Sequence, residues 1–503
     1  MLAMTPADQS ETVAFLSHGS AYGLPGAIVE RRETHISVVF LVGDRAFKLK
    51  RAVAFSYLDF STPDLRRTNC EAELRLGRAM APPLYRAVHA VIRSSDGVLA
   101  LDGAGEAVDW LVEMRRFDEA ALFDRMAAEN RLTPRHMRDL ADAIAAFHAA
   151  AEPVPRWGTP DAVRAVIADI VANLQRALVA SNAEVTAVAT QLETEFAVQR
   201  PVIERRNREG RVRRCHGDLH LRNICLLDGR PTLFDPIEFS DAIASVDVLY
   251  DLAFLLMDLI HRGHADFAAL VFNRYLDVSG DKGGLGLMPL YLAMRAAIRA
   301  HVTAVGGAAD SAPSYFRLAQ TLLRPVPAAL VAIGGVSGAG KTTLAQTIAP
   351  SVGRAPGARV LRSDVIRKRL HGLAPEQRLT PTAYDMATNV RVYETLGSEA
   401  AAALHDGQSV IADAVFLRPD ERAAIEAIAC QAGASFTGLW LAAPEAVLAE
   451  RLTGRRGDAS DADAAVLRFQ LAQDPGKIDW NRLEASGGIA DQAQAALAAI
   501  ART

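Results

Sequence analysis

Val331-Ala-Ile-Gly-Gly-Val-Ser-Gly-Ala-Gly-Lys-Thr-Thr343 decides the fold of the last third of this 503-residue chain. An apolar run enters G-x-x-x-x-G-K-T and continues into Leu344-Ala-Gln-Thr-Ile348, the strand, loop and helix order that a phosphate-binding loop requires. Gly335, Gly338 and Gly340 allow the backbone to bend around a phosphate chain, with main-chain N–H groups and a helix N-terminus aimed at its oxygens. Ser337, Ala339 and Thr343 complete the expected nucleotide-binding set. Lys341 is expected to reach the β- and γ-phosphates, and Thr342 to place its hydroxyl on Mg²⁺. The nucleotide expected is ATP, with GTP as the alternative.

Downstream, strands alternate with helices. Val360-Leu361 leads to Arg362-Ser-Asp-Val-Ile-Arg-Lys368, Gln408 to Ala412 ends at Asp413, and Phe436 to Leu441 forms a third run. That alternation indicates a parallel sheet with crossover connections. Asp364 follows its strand where a carboxylate can accept an alcohol proton. Asp413 ends an apolar strand, as a residue holding Mg²⁺ through water does. Arg451, Arg455 and Arg456 lie at a helix end and the following loop, where a closing lid would bring positive charge onto the transferred group. A solvated arginine face is the plainer alternative.

Upstream of Arg324-Pro-Val-Pro327 lies a second unit. Thr34 to Lys50 reads as two β-runs joined at Gly43-Asp44, a hairpin turn signal, so Lys48 and Lys50 share one strand face. A helical stretch from Asp64 to Met80 follows, then β-runs at Ala87 to Ile92, Val98 to Leu101 and one ending at Met114. Five strands and one helix make a small β-rich lobe. From Thr133, a helix N-cap, the pattern turns helical. Asp161 to Val198 is again helical, and Arg205 to Arg214 is a basic run that could attract an anion, with a solvated loop as the plainer account. Cys215-His-Gly-Asp-Leu-His-Leu-Arg-Asn223 is then a short loop, followed by a hairpin turning at Asp228-Gly229 and by Asp235.

Phosphoryl transfer to an alcohol needs a lysine on the phosphates, oxygen ligands for Mg²⁺ and a carboxylate beside the acceptor hydroxyl. Asp218, Asn223, Asp235 and a lysine of the hairpin supply that inventory. Read singly, His216 is a loop anchor, Asp251 a helix cap and His220 a surface side chain.

The stretch His216 to Asn223 resembles the catalytic loop of the aminoglycoside phosphotransferase family, which is similar in fold to protein kinases. The resemblance runs from about Thr34 to Leu323 and includes Leu140-Ala-Asp-Ala-Ile-Ala-Ala-Phe-His148 and Asp251-Leu-Ala253. It implies Asp218 as base, Asn223 and Asp235 as Mg²⁺ ligands, Lys48 as the phosphate lysine and Glu73 as its partner, with Lys50 and Glu71 as rivals. Met114 to Phe117 would be the hinge near adenine. Two features depart from the family pattern: Gly19, Gly23 and Gly26 do not form G-x-G-x-x-G, and Asp235 is followed by Pro-Ile-Glu.

From Leu330 onward the chain is similar to small P-loop kinases of the gluconate-kinase, polynucleotide-kinase and zeta-toxin kinds. The whole resembles bacterial bifunctional aminoglycoside phosphotransferase/ATP-binding proteins. The expected fold class is α/β multidomain: a protein-kinase-like α+β two-lobed domain at 1–325, with lobes at about 1–117 and 118–325, then a P-loop NTPase domain with a parallel sheet at 326–503. The resemblance implies an ATP-dependent kinase acting on a small-molecule hydroxyl. The alternative is a nucleotide-sensing regulator with an inactive kinase-like domain and a P-loop ATPase switch.

A net charge of −4 without a basic half argues against a nucleic-acid partner. The helical region before His216 lacks the acidic cluster that an aminoglycoside polycation would need. Four scattered cysteines, Cys70, Cys215, Cys225 and Cys430, form neither a zinc pattern nor a disulfide framework. With no leader-like start and no apolar run of spanning length, a cytoplasmic protein without membrane partners is expected.

Overall fold

The computed structural model describes residues 8–55, 57–306, 309–453 and 460–503. It divides into two compact units, one built from the chain up to Ala143 with Phe147–Gly158 and Gly210–Leu252, the other from Ile144–Ala146, Thr159–Glu209 and Ala253–Thr503. Packing therefore groups several helices upstream of 325 with the P-loop sheet, whereas the sequence-based domains are 1–325 and 326–503.

In the first unit an antiparallel sheet runs, neighbour to neighbour, Glu30–Glu33, Ser37–Val42, Arg45–Lys50, Glu106–Arg115, Tyr85–Arg93 and Leu99–Leu101. The expected hairpin is present, with Val42 opposite Arg45 and Gly43 at φ 56°. Six strands replace the expected five. Glu30–Glu33 has no apolar alternation because it is an exposed edge, where charge discourages further strand pairing. The chain before it is also structured: helix Ser10–Leu16 buries Leu16 against Phe40 and Leu49 on one sheet face.

Helix Pro63–Met80 starts on Thr62, whose hydroxyl accepts from Leu65 N–H, with proline in the first turn. Its buried residues Cys70, Glu73 and Gly77 recur at helical spacing and face strands Tyr85–Arg93 and Glu106–Arg115. Gly77 is needed there, since an added Cβ would lie 2.5 Å from the Tyr85 ring. Beyond helix Pro134–Ala150, strand Val212–Arg214 delivers the chain into the loop that begins at Cys215. Hairpin strands Ile224–Leu227 and Arg230–Leu233 follow, turning at Asp228-Gly229 as read.

In the second unit five parallel strands lie in the order Arg359–Arg362, Val410–Asp413, Ala329–Gly334, Ser435–Ala442 and Asn481–Glu484. The three strands after the P-loop are those expected. The fifth, Asn481–Glu484, is polar because it is an edge. A core of Val331, Ile333, Leu344, Ile348, Ile411, Leu439 and Leu441 packs the sheet against its helices.

The helical pattern from Asp161 to Val198 resolves into two helices: Pro160–Arg176 ends, and a capping box of Ser181 and Glu184 begins Asn182–Arg208. The expectation of a solvated loop for the basic run needs correction. Arg205, Arg206 and Arg208 form the last turn of that helix, and Arg206 is 1% exposed, bonded to both Asp281 oxygens at 2.9 and 2.8 Å. The fork geometry of guanidinium on carboxylate makes burial of this pair tolerable.

Helix Ala265–Ser279 closes the open edge of the parallel sheet. Asn273 Oδ1 accepts from Val360 N–H at 2.7 Å, and its Nδ2 donates to Ala358 O at 3.1 Å. The side-chain amide thus substitutes for a neighbouring strand. Arg359 on the same edge bonds Asn273 Oδ1 and Asp277. No helix among the described residues is long and apolar enough to cross a membrane.

Two candidate active sites

In the first unit the lysines of strand Arg45–Lys50 meet helix Pro63–Met80. Lys48 Nζ lies 2.9 Å from Glu73 Oε1 and also bonds Asp235; Lys50 Nζ lies 2.6 Å from Glu73 Oε2 and also bonds Glu238. Glu73 is fully buried, whereas Glu71 is exposed and pairs with Arg67 one turn away. Both lysines therefore share Glu73, and Glu71 is not part of the group. Burial disfavours the charge on Glu73, but the two ammonium groups outweigh it and hold the carboxyl down to about 2. Lys48 is likewise desolvated, yet the carboxylates of Asp235, Glu73 and Glu238 raise its pKa well above the ordinary value.

The loop after Cys215 is built around His216. Its Nδ1 accepts from Asp218 N–H at 3.3 Å, and its Nε2 lies 2.9 Å from Phe234 O, joining the Asp218 loop to the segment carrying Asp235. Full burial lowers its pKa, so the ring is neutral with the proton on Nε2. Asp251 supports the loop from below, accepting from Gly217 N–H at 2.8 Å and His216 N–H at 3.3 Å. It is a buried anchor for that loop and not a helix cap.

Asn223 donates through Nδ2 to Asp218 Oδ2 and Asp218 O, both at 2.9 Å, which leaves its Oδ1 as a metal-type oxygen. His220 is buried, with Nε2 3.3 Å from Asp218 Oδ2, and is not a surface side chain. Asp235 has φ 61°, its N–H donates to Tyr85 Oη at 2.9 Å, and its side chain is 44% exposed. A non-glycine residue held in that region marks a segment fixed by its surroundings. Met114 and Phe117 pack with Trp110, Val112 and Phe234, and Phe117 meets Phe234 edge-on at 5.2 Å.

His148, Cys215 and Asp251 also bring ligand-type atoms within 4.8 Å of one another. Asp251 already accepts two backbone N–H groups, and burial pushes the Cys215 thiol pKa far up, so this cluster has the chemistry of a packed anchor.

The second site sits at the C-terminal ends of the parallel strands. Gly335 at φ 135°, Gly338 at 85° and Gly340 at 92° shape the loop, and a Cβ on Gly335 would lie 2.6 Å from Leu441 O. Helix Lys341–Ile348 starts directly on the loop. Lys341 Nζ curls back to Gly335 O at 2.8 Å and Val336 O at 3.1 Å. Thr342 Oγ1 donates to Asp413 Oδ2 at 2.6 Å. Two adjoining hard oxygens, one anionic and buried, are a donor set that fits Mg²⁺. Burial raises the Asp413 pKa against the opposing charges of Arg362 and Lys341.

Asp364 lies in the first turn of helix Ser363–Leu370, half-buried and near enough to act electrostatically on Asp413 and Tyr384. One turn on, Arg367 donates to Ala383 O and Asn389 Oδ1 at 3.0 and 2.7 Å. Arg451 stands beside the loop: it donates to Ala485 O at 2.7 Å, and a Cβ on Gly340 would lie 3.7 Å from its Nη1. Arg455 and Arg456 lie outside the described residues. Ser337 N–H is taken by Gln470 Oε1 at 2.8 Å.

Sequence reading missed Glu238, Tyr85, Gln470 and the Arg362 contact with Asp413. Only Glu238 left a signal, as the unusual Pro-Ile-Glu after Asp235.

Residues 41–288 match the phosphotransferase enzyme family and residues 330–473 match an AAA domain. Among solved structures the chain is similar to a gluconokinase from Sinorhizobium meliloti 1021, at 24% identity over 36% of this chain and 94% of that one, TM-score 0.26. It is also similar to a choline/ethanolamine kinase family protein from Mesorhizobium loti, at 16% identity over 62% and 95%, TM-score 0.41. The uncharacterized protein Rv2004c of Mycobacterium tuberculosis (strain ATCC 25618 / H37Rv) is 30% identical over 478 residues, covering 91% of this chain and 93% of that protein. The uncharacterized protein Mb2027c of Mycobacterium bovis matches equally. Both domains fall in small-molecule kinase families, and the chain belongs to the same family as these mycobacterial proteins, an aminoglycoside-phosphotransferase-type domain followed by a P-loop kinase-type domain.

Proposed function

We propose that this chain is a cytoplasmic, ATP-dependent phosphotransferase that moves the γ-phosphoryl group to a hydroxyl of a small molecule, with one nucleotide site in 1–325 and another in 326–503. The observation that carries the reading is Lys48, a buried ammonium between Glu73 and the half-exposed Asp235. That is a phosphate-holding lysine fixed on one side and facing a metal-type carboxylate on the other. Four free cysteines support a reducing compartment.

In the first site Asp218 takes the proton of the acceptor hydroxyl as its oxygen bonds to the γ-phosphorus and the bond to the ADP leaving oxygen breaks. Asn223 and His220 orient the Asp218 carboxylate. In the second site Asp364 has the proton-accepting role, Lys341 turns from the loop carbonyls to the phosphates, and Arg451 supplies positive charge to the transferred group. Mg²⁺, held by Asn223 and Asp235 in one site and by Thr342 and Asp413 in the other, would neutralise charge on the phosphate oxygens.

The test is ATP turnover with a panel of sugars, nucleosides and aminoglycosides, comparing Asp218→Ala with Lys341→Ala. Acceptor-dependent turnover that Asp218→Ala leaves intact on every substrate sinks the two-site reading. ATP hydrolysis without any acceptor, abolished only by Lys341→Ala, would establish the nucleotide switch instead.

A further inference from the structure

Glu73 has two carboxylate oxygens, and a different lysine holds each. Lys48 and Lys50 are two residues apart on one strand, so they share a face. Their outer partners differ in environment. Lys48 reaches Asp235, whose side chain is 44% exposed; Lys50 reaches Glu238, whose side chain is 5% exposed, and its own is 1%. The Phe60 ring lies 5.0 Å from Lys50 Nζ and closes the inner side.

We infer that Lys50 and Glu238 are positioning residues for the first nucleotide site: a permanent inner pair that keeps Glu73, and through it Lys48, in place when Lys48 and Asp235 turn to the nucleotide. The inference rests on the roles given above to Lys48 and Asp235.

Three observations support it. A single lysine would leave Glu73 buried without a partner each time that lysine moved to phosphate, an uncompensated buried charge that strongly disfavours the move. Lys50 removes that cost because Glu238 and Phe60 hold it away from the open side. Next, buried ion pairs add little stability over well-packed apolar groups, so a second pair beside the first is better explained by placement than by stability. Finally, Glu238 belongs to the segment that carries Asp235. That segment is pinned at Asp235 N–H by Tyr85 Oη at 2.9 Å, at Ile237 N–H by His216 O at 2.9 Å and at Ile237 O by Arg214 at 2.6 Å. Once Asp235 turns to metal, the bond from Glu238 to Lys50 is what still ties the segment to the lysine strand.

The experiment uses the full chain carrying Lys341→Ala, so that calorimetric titration with Mg·ATP reads the first site alone. Glu238→Gln, which keeps shape and removes charge, is expected to weaken Mg·ATP at least tenfold, and Glu238→Asp to recover part of the loss. Lys50→Met alone should weaken binding and lower the melting temperature. In Lys50→Met/Glu238→Gln no lone charge remains buried, so melting should recover while affinity stays low. A purely structural pair would recover both together. Affinity within twofold of the parent for Glu238→Gln, or restored along with melting in the double variant, overturns the inference. Absence of Mg·ATP binding in the Lys341→Ala parent, or binding that Lys48→Met does not change, overturns the first-site reading and this inference with it.

Discussion

The Thr342 hydroxyl lies 2.6 Å from Asp413 Oδ2, joining the first turn of the P-loop helix to the end of the neighbouring parallel strand. The contact aligns two oxygen donors before any ligand arrives, and Arg362, 3.7 Å from the same carboxylate oxygen, balances its charge. Removing the carboxylate leaves the loop and Lys341 in place. Asp413→Ala should therefore lower Mg²⁺-dependent turnover at this site by about 10–100-fold, the range for groups that orient metal ligands. Binding of ATP without Mg²⁺ should change much less. Titrating both forms of the nucleotide against Asp413→Ala and the parent checks this, and equal losses in both would contradict it.

Asn273 acts on the same sheet from a distance of 87 residues in sequence. Replacing it with leucine keeps the helix but strips Val360 N–H and Ala358 O of their partners on a buried edge. Each orphaned group costs about 1–3 kcal/mol. Asn273→Leu should lower the unfolding midpoint of the P-loop sheet and speed hydrogen exchange at the Val360 amide, as measured by exchange with mass spectrometry. Asn273→Asp, which keeps only the acceptor, should fall between the two.

The parts that could be read from sequence are those whose chemistry is local. The loop from Gly335 to Thr342 needs its glycines, lysine and threonine at fixed spacing, and the Gly43-Asp44 hairpin needs only its turn and alternation. Strands Glu30–Glu33 and Asn481–Glu484 were unreadable because an exposed edge carries no apolar pattern. The choice between Glu71 and Glu73 could not be made from sequence, since it depends on which helix face meets the lysine strand. Arg206 shows the same limit: three arginines within four residues look solvated until Asp281, 75 residues on, accepts one of them. Glu238 was visible only as a departure from a pattern, and its partner Lys50 lies 188 residues away.

His216 makes a pH prediction with a definite sign. Burial lowers its folded pKa below the ordinary 6.5, so the unfolded chain binds the proton more readily. Stability from the neutral ring is complete above about pH 6.5 and is lost as pH falls below it, by up to ~1.4 kcal/mol per pH unit for one proton. His261 and His301 are shifted the same way by burial, so the wild-type slope contains all three. His216→Asn should be less stable at neutral pH but show a shallower fall between pH 6.5 and 5. Urea unfolding midpoints across that window decide it, and an unchanged slope would mean that the ring already titrates normally.

Glu71 and Glu73 supply the sharpest contrast in stability. Glu71 pairs with Arg67 at 2.9 Å, but both side chains are more than half exposed, at 53% and 54%. A pair of that kind contributes roughly 0–1 kcal/mol, and Glu71→Ala should leave both melting and Mg·ATP affinity close to the parent. Glu73 is fully buried between two ammonium groups. Glu73→Ala leaves those charges with Asp235 and Glu238 and opens space between them. Breaking a buried pair from one side costs about 3–5 kcal/mol. Because the Glu73 carboxyl is held down to about 2 against an ordinary 4.5, its contribution persists at all pH values above 4.5 and fades only as pH falls toward 2. The destabilisation by Glu73→Ala should therefore be constant from pH 5 to 8 and shrink in acid. Parallel melts of both variants between pH 3 and 8 test it, and a Glu71→Ala loss as large as that of Glu73→Ala would show that the helix faces the lysine strand differently.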